Sequence, residues 1–216
     1  NIDWVLTLPE TGQSTPVISS GRVFFTTFKE VTEDSQLGKD IVAWCVDANN
    51  GHVLWRRAIP GKYTLRLSGC FGDSTSPPAV VDGERVVFIN ASGMIACFNL
   101  QGATLWSREV LSVNRTLPFL LGNRFVFTRQ VYPPDPNGVF PHKYKDAPVK
   151  DWTQLQALDM QTGDVVWTTT CGLNMGNAVV PQKLSDGRQV VVVGRGGGHG
   201  PPEKPEGVSL VDLADG

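Results

Sequence analysis

Residues 157–167 read Ala-Leu-Asp-Met-Gln-Thr-Gly-Asp-Val-Val-Trp, and this stretch decides the fold. An apolar run ends in an acidic residue, a glycine follows, and a tryptophan comes after three more residues. The same Gly-x-x-x-Trp spacing occurs at Gly51–Trp55, Gly102–Trp106 and Gly163–Trp167. A further tryptophan, Trp4, stands near the start, and residues 210–216 hold the front half of another copy. Successive tryptophans, from Trp4 through Trp55 and Trp106 to Trp167, are 51, 51 and 61 residues apart. Such recurrence indicates a repeat architecture.

A second element alternates with the first. In each unit a proline is followed within a few residues by a glycine and then by a β-branched or aromatic run. This pattern predicts an inner strand, a turn with glycine at positive φ, and a second strand. The acidic or amide residue of the first element opens another turn by bonding its own backbone, and the tryptophan strand follows. Together the elements predict units at residues 14–59, 74–110, 116–171 and 177–216, with residues 2–8 as the outer strand of a closing unit.

The repeated tryptophan is large and flat, so it can pack between neighbouring sheets. With 23 glycines, 15 prolines and no long helical periodicity, the pattern predicts an all-β chain. The expected fold is a β-propeller of four-stranded antiparallel blades with about four blades present. Two interpretations fit: residues 2–8 close a four-bladed ring, or the blades belong to a larger ring of seven or eight, which we favour. The residues assigned to the structural repeat are Trp4, Asp47, Gly51, Trp55, Asn99, Gly102, Trp106, Asp159, Thr162, Gly163 and Trp167.

The copy at 157–167 resembles the tryptophan-docking repeat of the pyrroloquinoline-quinone-like (PQQ-like) propeller family. That repeat reads Ala-x-Asp-x-x-Thr-Gly-x-x-x-Trp, and every fixed position matches. An earlier copy has Cys45 and Asn50 in place of alanine and threonine, and the next is one residue shorter with Asn99 in place of aspartate. The chain also resembles planctomycete-type PQQ-like repeat proteins and the propeller of the outer-membrane assembly lipoprotein.

The resemblance implies two functional classes. Quinoprotein alcohol and sugar dehydrogenases of the family hold PQQ and calcium over the propeller centre, whereas the assembly lipoprotein uses its propeller as a scaffold for protein contacts. The resemblance also implies a periplasmic or otherwise extracytoplasmic location. The repeat is structural, so it does not decide between the two classes.

Composition and motifs exclude several kinds of function. A net charge of −2 lacks the basic excess of nucleic-acid and membrane-surface binders, and the longest aliphatic run, Val190–Val193, is far shorter than the roughly 20 residues of a membrane span. His52, His142 and His199 are not spaced as zinc ligands, and the acidic residues form no calcium loop. We therefore expect no catalytic residue, no metal site and no cofactor, with bound PQQ and calcium as the alternative.

Candidate binding residues come from propeller geometry. Connections from an outer strand to the next inner strand reach the central channel on one face, and loops on a rigid scaffold often bind ligands. Their polar side chains either bind a protein partner or small ligand, or only bond backbone groups at strand starts. Arg195 and His199 flank a run of glycines at 196–198. This run is either a plain connection between strands or part of an anion or ligand site. The candidate channel-face residues are Ser14, Thr15, Asp73, Ser74, Ser76, Arg115, Asn177, Arg195 and His199.

Cysteines, insertions and edges complete the expectations. Cys45 and Cys97 fall at equivalent strand positions and are expected as buried thiols, whereas Cys70 and Cys171 either stay buried or pair in an exported protein. Insertions at 29–39 and 132–152 suit a partner surface or plain exposed loops. Exposed blade edges predict self-association.

The leading hypothesis is a non-catalytic propeller that acts as an interaction scaffold or ligand-binding domain of an exported bacterial protein. The alternative is part of a PQQ- and calcium-dependent quinoprotein dehydrogenase, in which the quinone would accept electrons.

Overall fold

The computed structural model describes residues 1–30, 38–63, 73–112, 117–131, 153–172, 179–196 and 206–216. Every regular element in these ranges is a β-strand, which confirms the all-β prediction. The parts of the sequence analysis that fall outside the described residues are those on Cys70, Arg115, Asn177, His199, residues 31–37 of the insertion at 29–39, and the insertion at 132–152, which includes His142.

The strands form four antiparallel sheets in which neighbours follow chain order. The fourth sheet has three strands. The first sheet holds β1 (Val17–Ser19), β2 (Arg22–Phe28), β3 (Ile41–Asp47) and β4 (Val53–Ile59); the second holds β5 (Val80–Val81), β6 (Arg85–Asn90), β7 (Met94–Asn99) and β8 (Thr104–Glu109); the third holds β9 (Phe119–Leu121), β10 (Arg124–Gln130), β11 (Thr153–Asp159) and β12 (Val165–Thr169); the fourth holds β13 (Val179–Lys183), β14 (Gln189–Arg195) and β15 (Gly207–Asp212).

A register shift recurs where the third strand meets the fourth. It falls between Cys45 and Val46 in the first sheet, and at the equivalent steps in the second and third. The shift places Trp55 opposite Cys45, and Trp167 opposite Ala157. A small residue at this position leaves room for the indole on the same face of the sheet, which explains why Cys45, Cys97 and Ala157 stand there.

The turn after each third strand is built by its acidic or amide residue. In the first sheet the Gly51 amide donates to the Asp47 carbonyl (3.0 Å), and the Asn49 amide donates to Asp47 Oδ1 (2.8 Å). The same pair of contacts forms after β15, where the amides of Gly216 and Ala214 donate to Asp212. The side-chain oxygen therefore completes the turn, as expected for an aspartate at a turn start.

Where the structure places a tryptophan beside one of these turns, the indole ring packs against the turn glycine. The Trp55 Nε1 donates to the Leu100 carbonyl at 2.9 Å, and the indole lies against Gly102. A Cβ at Gly102 would come within 2.8 Å of the ring, and φ there is +82°. Only glycine meets both conditions without strain. Trp55 thus joins the first sheet to the second.

Two compact units divide the chain, Asn1–Val110 and Leu111–Gly216, and each has its own core. In the first unit an aromatic cluster of Phe24, Trp55 and Phe88 fills the space between two sheets, with ring centroids 6.1 to 6.4 Å apart. In the second unit Trp167 packs with aliphatic residues such as Leu155 and Val191. Edge-to-face aromatic packing adds to area burial in the first core.

Residues 2–8 differ from the expectation. They pair with no strand of the described residues, so the structure does not show the predicted strand, and their place as the outer strand of a closing unit stays a prediction. Their side chains still alternate, because Trp4, Leu6 and Leu8 are half-buried while Val5 is exposed. The segment is held by side-chain packing and by the Trp4 Nε1 bond to the Ala48 carbonyl (3.0 Å) rather than by a backbone ladder. Alternation alone does not show whether a hydrogen-bonding neighbour exists.

The buried thiols predict a pH dependence of stability. Burial raises the pKa of Cys45 to about 11 and that of Cys97 to about 12. The unfolded chain releases these protons near pH 9, whereas the folded chain keeps them, so the free energy of unfolding should fall as pH rises from about 9 towards 11 and 12. The double variant Cys45→Ala, Cys97→Ala should lose less over that window, and Ala157 shows that alanine fits the position. Urea denaturation at several pH values measures both slopes; equal slopes would contradict this assignment.

Candidate functional site

Buried polar side chains gather at one end of each sheet. This connection end is where the second strand stops, the third starts, and the preceding outer strand leads in. All buried polar side chains of the described residues lie there except Gln156. They include Thr26 and Thr27 at the end of β2, Asn90 at the end of β6, and Thr128 and Gln130 at the end of β10. Because burying polar groups is costly unless they are bonded, their partners are informative.

In the first unit a connection cluster forms from Gln13, Asp73, Thr75 and Ser76. Asp73 Oδ1 accepts from the Thr75 amide (2.8 Å) and hydroxyl (2.5 Å), and the Asp73 amide donates to Ser76 Oγ (2.6 Å). The Gln13 amide donates to Thr75 Oγ1 (2.8 Å), and Ser76 Oγ donates to Gln13 Oε1 (3.3 Å). The cluster therefore ties the segment before β1 to the segment before β5.

The connection cluster is anchored to the sheets behind it. Thr26 Oγ1 donates to the Thr75 carbonyl at 2.9 Å, and the Ala91 amide donates to the Ser74 carbonyl at 3.1 Å. The hydroxyls of Ser14 and Ser74 are buried and have no hydrogen-bond partner among the described residues. Such groups mark places where a small hydrogen-bonding molecule would be stabilised.

Asn90 and Ser92 form another tie that the sequence analysis missed. Asn90 Nδ2 donates to the carbonyls of Lys39 (2.8 Å) and Ile59 (3.0 Å), and Ser92 Oγ donates to the Lys39 carbonyl (2.8 Å). These bonds hold the chain just before β3, at Lys39, and the end of β4, at Ile59, against the second sheet. A polar pair directly after the apolar run of β6 was the only signal, and its long-range partners are not visible from spacing.

In the second unit, Thr128, Gln130 and Thr153 share one face. Thr128 and Gln130 are two residues apart on β10, and Thr153 pairs with Gln130 across the ladder. All three are at most 4% exposed, and Thr128 Oγ1, Gln130 Oε1 and Thr153 Oγ1 have no partner among the described residues. The sequence analysis missed this group too, because threonine is an ordinary strand residue.

Arg195 is used as a structural tie in the second unit. Its Nη1 donates to the Cys171 carbonyl (3.2 Å) and to Ser209 Oγ (3.0 Å), and Ser209 Oγ donates to the same carbonyl (2.8 Å). The guanidinium also lies against Gly172, where a Cβ would come within 2.6 Å of Cζ. These contacts link the end of the third sheet to the fourth.

The structure brings only some of the predicted site residues together. Asp73 and Ser76 share the connection cluster, Ser14 and Ser74 lie beside it in sequence, and Thr15 is exposed. Asp73 and Ser74 are buried, at 3% and 0% exposure, so they act behind the surface rather than on it. Their role as ligand-binding residues stays a prediction.

Metal chemistry has no assembled ligand set in the part of the chain that the structure describes. There, no three His, Cys, Asp or Glu side chains are grouped so that they could hold an ion. Within the same residues, no helix is long and apolar enough to cross a membrane.

Comparison with known families decides the relationship. The family model described as outer membrane protein assembly factor BamB matches residues 2–116 and again residues 37–169. The chain belongs to this family. Two overlapping matches are what a repeat produces, since the same model fits successive sets of blades. The BamB-like chain is thus a PQQ-like repeat β-propeller, as its repeat predicted.

Individual relatives cover different shares of the chain. Tetrathionate hydrolase of Acidithiobacillus ferrooxidans is 27% identical over 138 residues, which span 58% of this chain and 23% of the hydrolase. The quinohemoprotein alcohol dehydrogenase ADHIIG of Pseudomonas putida HK5 is similar in structure over 97% of this chain and 33% of the dehydrogenase, with a TM-score of 0.53 and 12% identity. The computationally designed Ika4 protein also gives a TM-score of 0.53, at 10% identity, and is covered to 94% by 96% of this chain. The BamB-like chain therefore spans a quarter to a third of the two natural relatives, and the structural likenesses concern the fold alone.

A matched pair of threonines tests whether the buried hydroxyls at the connection end have hydrogen-bond partners. Thr26 and Thr128 are equivalent, each four residues after the arginine opposite the turn aspartate, but among the described residues only the Thr26 hydroxyl has a hydrogen-bond partner. Thr26→Val should lower the free energy of unfolding by about 1 to 3 kcal/mol, because the Thr75 carbonyl loses its donor. Thr128→Val should raise it by about 1 kcal/mol, because an unpaired hydroxyl is replaced by a methyl group of the same shape. Urea denaturation of both variants gives the comparison; a loss in both would show that Thr128 has a partner.

Proposed function

We propose that the BamB-like chain is a non-catalytic propeller domain that holds a protein partner on its connection end, in an exported bacterial protein. The observation that supports this most is the connection cluster. Its hydrogen bonds fix two connections to each other and to the sheets behind them. The cluster leaves the side chain of Gln13 and part of Ser76 at the surface, and the adjacent Thr15 is exposed as well. A rigid scaffold with polar loops at one end is a common form of binding surface.

The chemistry at the connection end favours binding over catalysis. Asp73 is the acid of the connection cluster, and its Oδ1 is already engaged by the amide and hydroxyl of Thr75. It is also 3% exposed, so a substrate would have to displace a bonded neighbour to reach it. The two large upward pKa shifts of the described residues belong to Cys45 and Cys97, which lie in the core. The export proposal is supported by the family description, which names an outer membrane assembly factor.

Quinone-dependent dehydrogenation is the alternative to be tested. The fold likeness to the alcohol dehydrogenase does not carry its cofactor over at 12% identity. The activity of tetrathionate hydrolase is likewise not transferred, since the match covers 23% of that enzyme.

Site-directed photo-crosslinking tests the partner surface. A benzophenone amino acid at Thr15, on the connection end, should give a discrete adduct with one protein of the cell envelope. The same group at Glu84, in the β5–β6 hairpin turn at the opposite end of its sheet, should give none. Equal labelling patterns from both positions would overturn the assignment of the surface.

Calorimetric titration with PQQ, with and without calcium, separates the two functions. The scaffold proposal expects no saturable heat in either condition from folded protein. Saturable one-to-one binding at micromolar affinity or tighter would instead support the dehydrogenase.

A further inference from the structure

The outer edge of the first sheet is open. β4 forms this edge and pairs with β3 alone among the described residues. It lies well inside the chain and is the longest of the three described fourth strands, with seven residues against six in β8 and five in β12. Most of its residues are exposed, namely Val53, Leu54 and the run 56–58. Alternate residues of an edge strand direct their amide and carbonyl groups away from the sheet, so a further strand can pair there.

Two neighbouring arginines give this edge a positive charge. Neither Arg56 nor Arg57 forms an ion pair with a described residue. The Arg56 guanidinium lies over the Trp44 ring, 5.6 Å from its centroid. Arg57 Nε donates to the Gly102 carbonyl (2.8 Å), and its Nη1 donates to the Arg56 carbonyl (2.8 Å). These contacts limit the freedom of both side chains and leave their charges at the exposed edge.

The other two fourth strands are not basic at the corresponding positions. The two residues after the tryptophan are Ser107 and Arg108 in β8, and the acidic Glu109 follows them. In β12 they are Thr168 and Thr169, which carry no charge. The repeat therefore does not require an arginine pair in this place, and the charge is a property of β4 itself.

A neighbouring sheet does not close this kind of edge. Ser107 on β8 corresponds to Arg56, and it lies opposite Ala96, which packs against the first sheet. Ser107 and Leu105 nevertheless remain exposed. The outer strand of a sheet therefore keeps its edge open when another sheet covers the face beside it.

We propose that β4 binds an extended acidic segment of another protein as a fifth strand of the first sheet. Carboxylates are favoured because they neutralise both arginines, whereas β4 of a second copy offers no acid. Neighbouring residues of a strand point to opposite faces, so the two acids must also be neighbours in the partner. In an antiparallel partner they are followed, after one residue, by two apolar residues opposite Leu54 and Val53. The contact is independent of the proposed function, because it uses the outer edge instead of the connection end.

Fluorescence anisotropy with a labelled peptide tests this edge. The probe has the sequence Thr-Glu-Glu-Thr-Val-Val-Thr with both ends blocked, and its binding to the full chain should be saturable and should weaken as salt is added. The same peptide with Lys-Lys in place of Glu-Glu should bind more weakly. So should the acidic peptide with N-methyl groups on alternate residues, because it cannot pair along a strand. No binding of the acidic peptide at millimolar concentration, or equal binding of all three peptides, would overturn the proposal.

A matched pair of protein variants assigns the binding to β4. The double variant Arg56→Thr, Arg57→Thr gives this strand the pair that β12 carries, so its β-sheet circular dichroism spectrum should be unchanged. It should bind the acidic peptide about 2 to 30 times more weakly, as expected for the loss of two exposed charge pairs. The control Lys183→Thr, Arg188→Thr removes two exposed positive charges from the fourth sheet and should leave the affinity unchanged. An unchanged affinity of the β4 variant, or an equal loss in both variants, would contradict the proposal.

Discussion

A tryptophan seated on a glycine turn is the contact on which the rest of the chain depends. The Nε1 atoms of Trp4, Trp55 and Trp167 donate to main-chain carbonyls at 2.8 to 3.0 Å, and each ring lies where a Cβ would otherwise stand. The contact needs a glycine at positive φ, an aspartate or asparagine to shape the turn, and a small residue opposite the indole. These three needs account for the fixed positions of the repeat. The sequence is periodic because this contact between a tryptophan and a turn glycine is periodic.

Each sheet has an apolar part that packs against a neighbouring sheet and a polar part at the connection end. Aromatic and aliphatic residues fill the space between sheets, while polar residues collect at the connection end. In the first unit those polar residues are bonded into the connection cluster, so the loops that face solvent there are held by the fold itself. Binding surfaces on such loops lose little freedom on association, which favours a scaffold role. Apolar side chains of residues 1–8 and of β15 remain exposed, among them Ile2, Val5, Val208 and Leu210.

The sequence predicted the strands and turns well because both follow from local spacing. The Asp47 and Asp159 turns, the glycines after them and the buried Cys45 position are all properties of a short repeated segment. The partners of Asn90 were not predictable, since they lie 31 and 51 positions away. Residues 2–8 show the same limit: an alternating pattern predicts which side chains face a sheet, but the backbone ladder needs a neighbour that the pattern does not contain.

Comparing Gly102→Ala with Gly83→Ala tests the central contact most directly. Both glycines have positive φ, +82° and +95°, so both substitutions carry a backbone cost of about 1 to 2 kcal/mol. A Cβ meets nothing within 4 Å at Gly83, whereas at Gly102 it comes within 2.8 Å of the Trp55 ring. Urea denaturation should therefore show that Gly102→Ala loses about 1 to 3 kcal/mol more than Gly83→Ala. Equal losses would contradict the claim that the seated indole holds the sheets together.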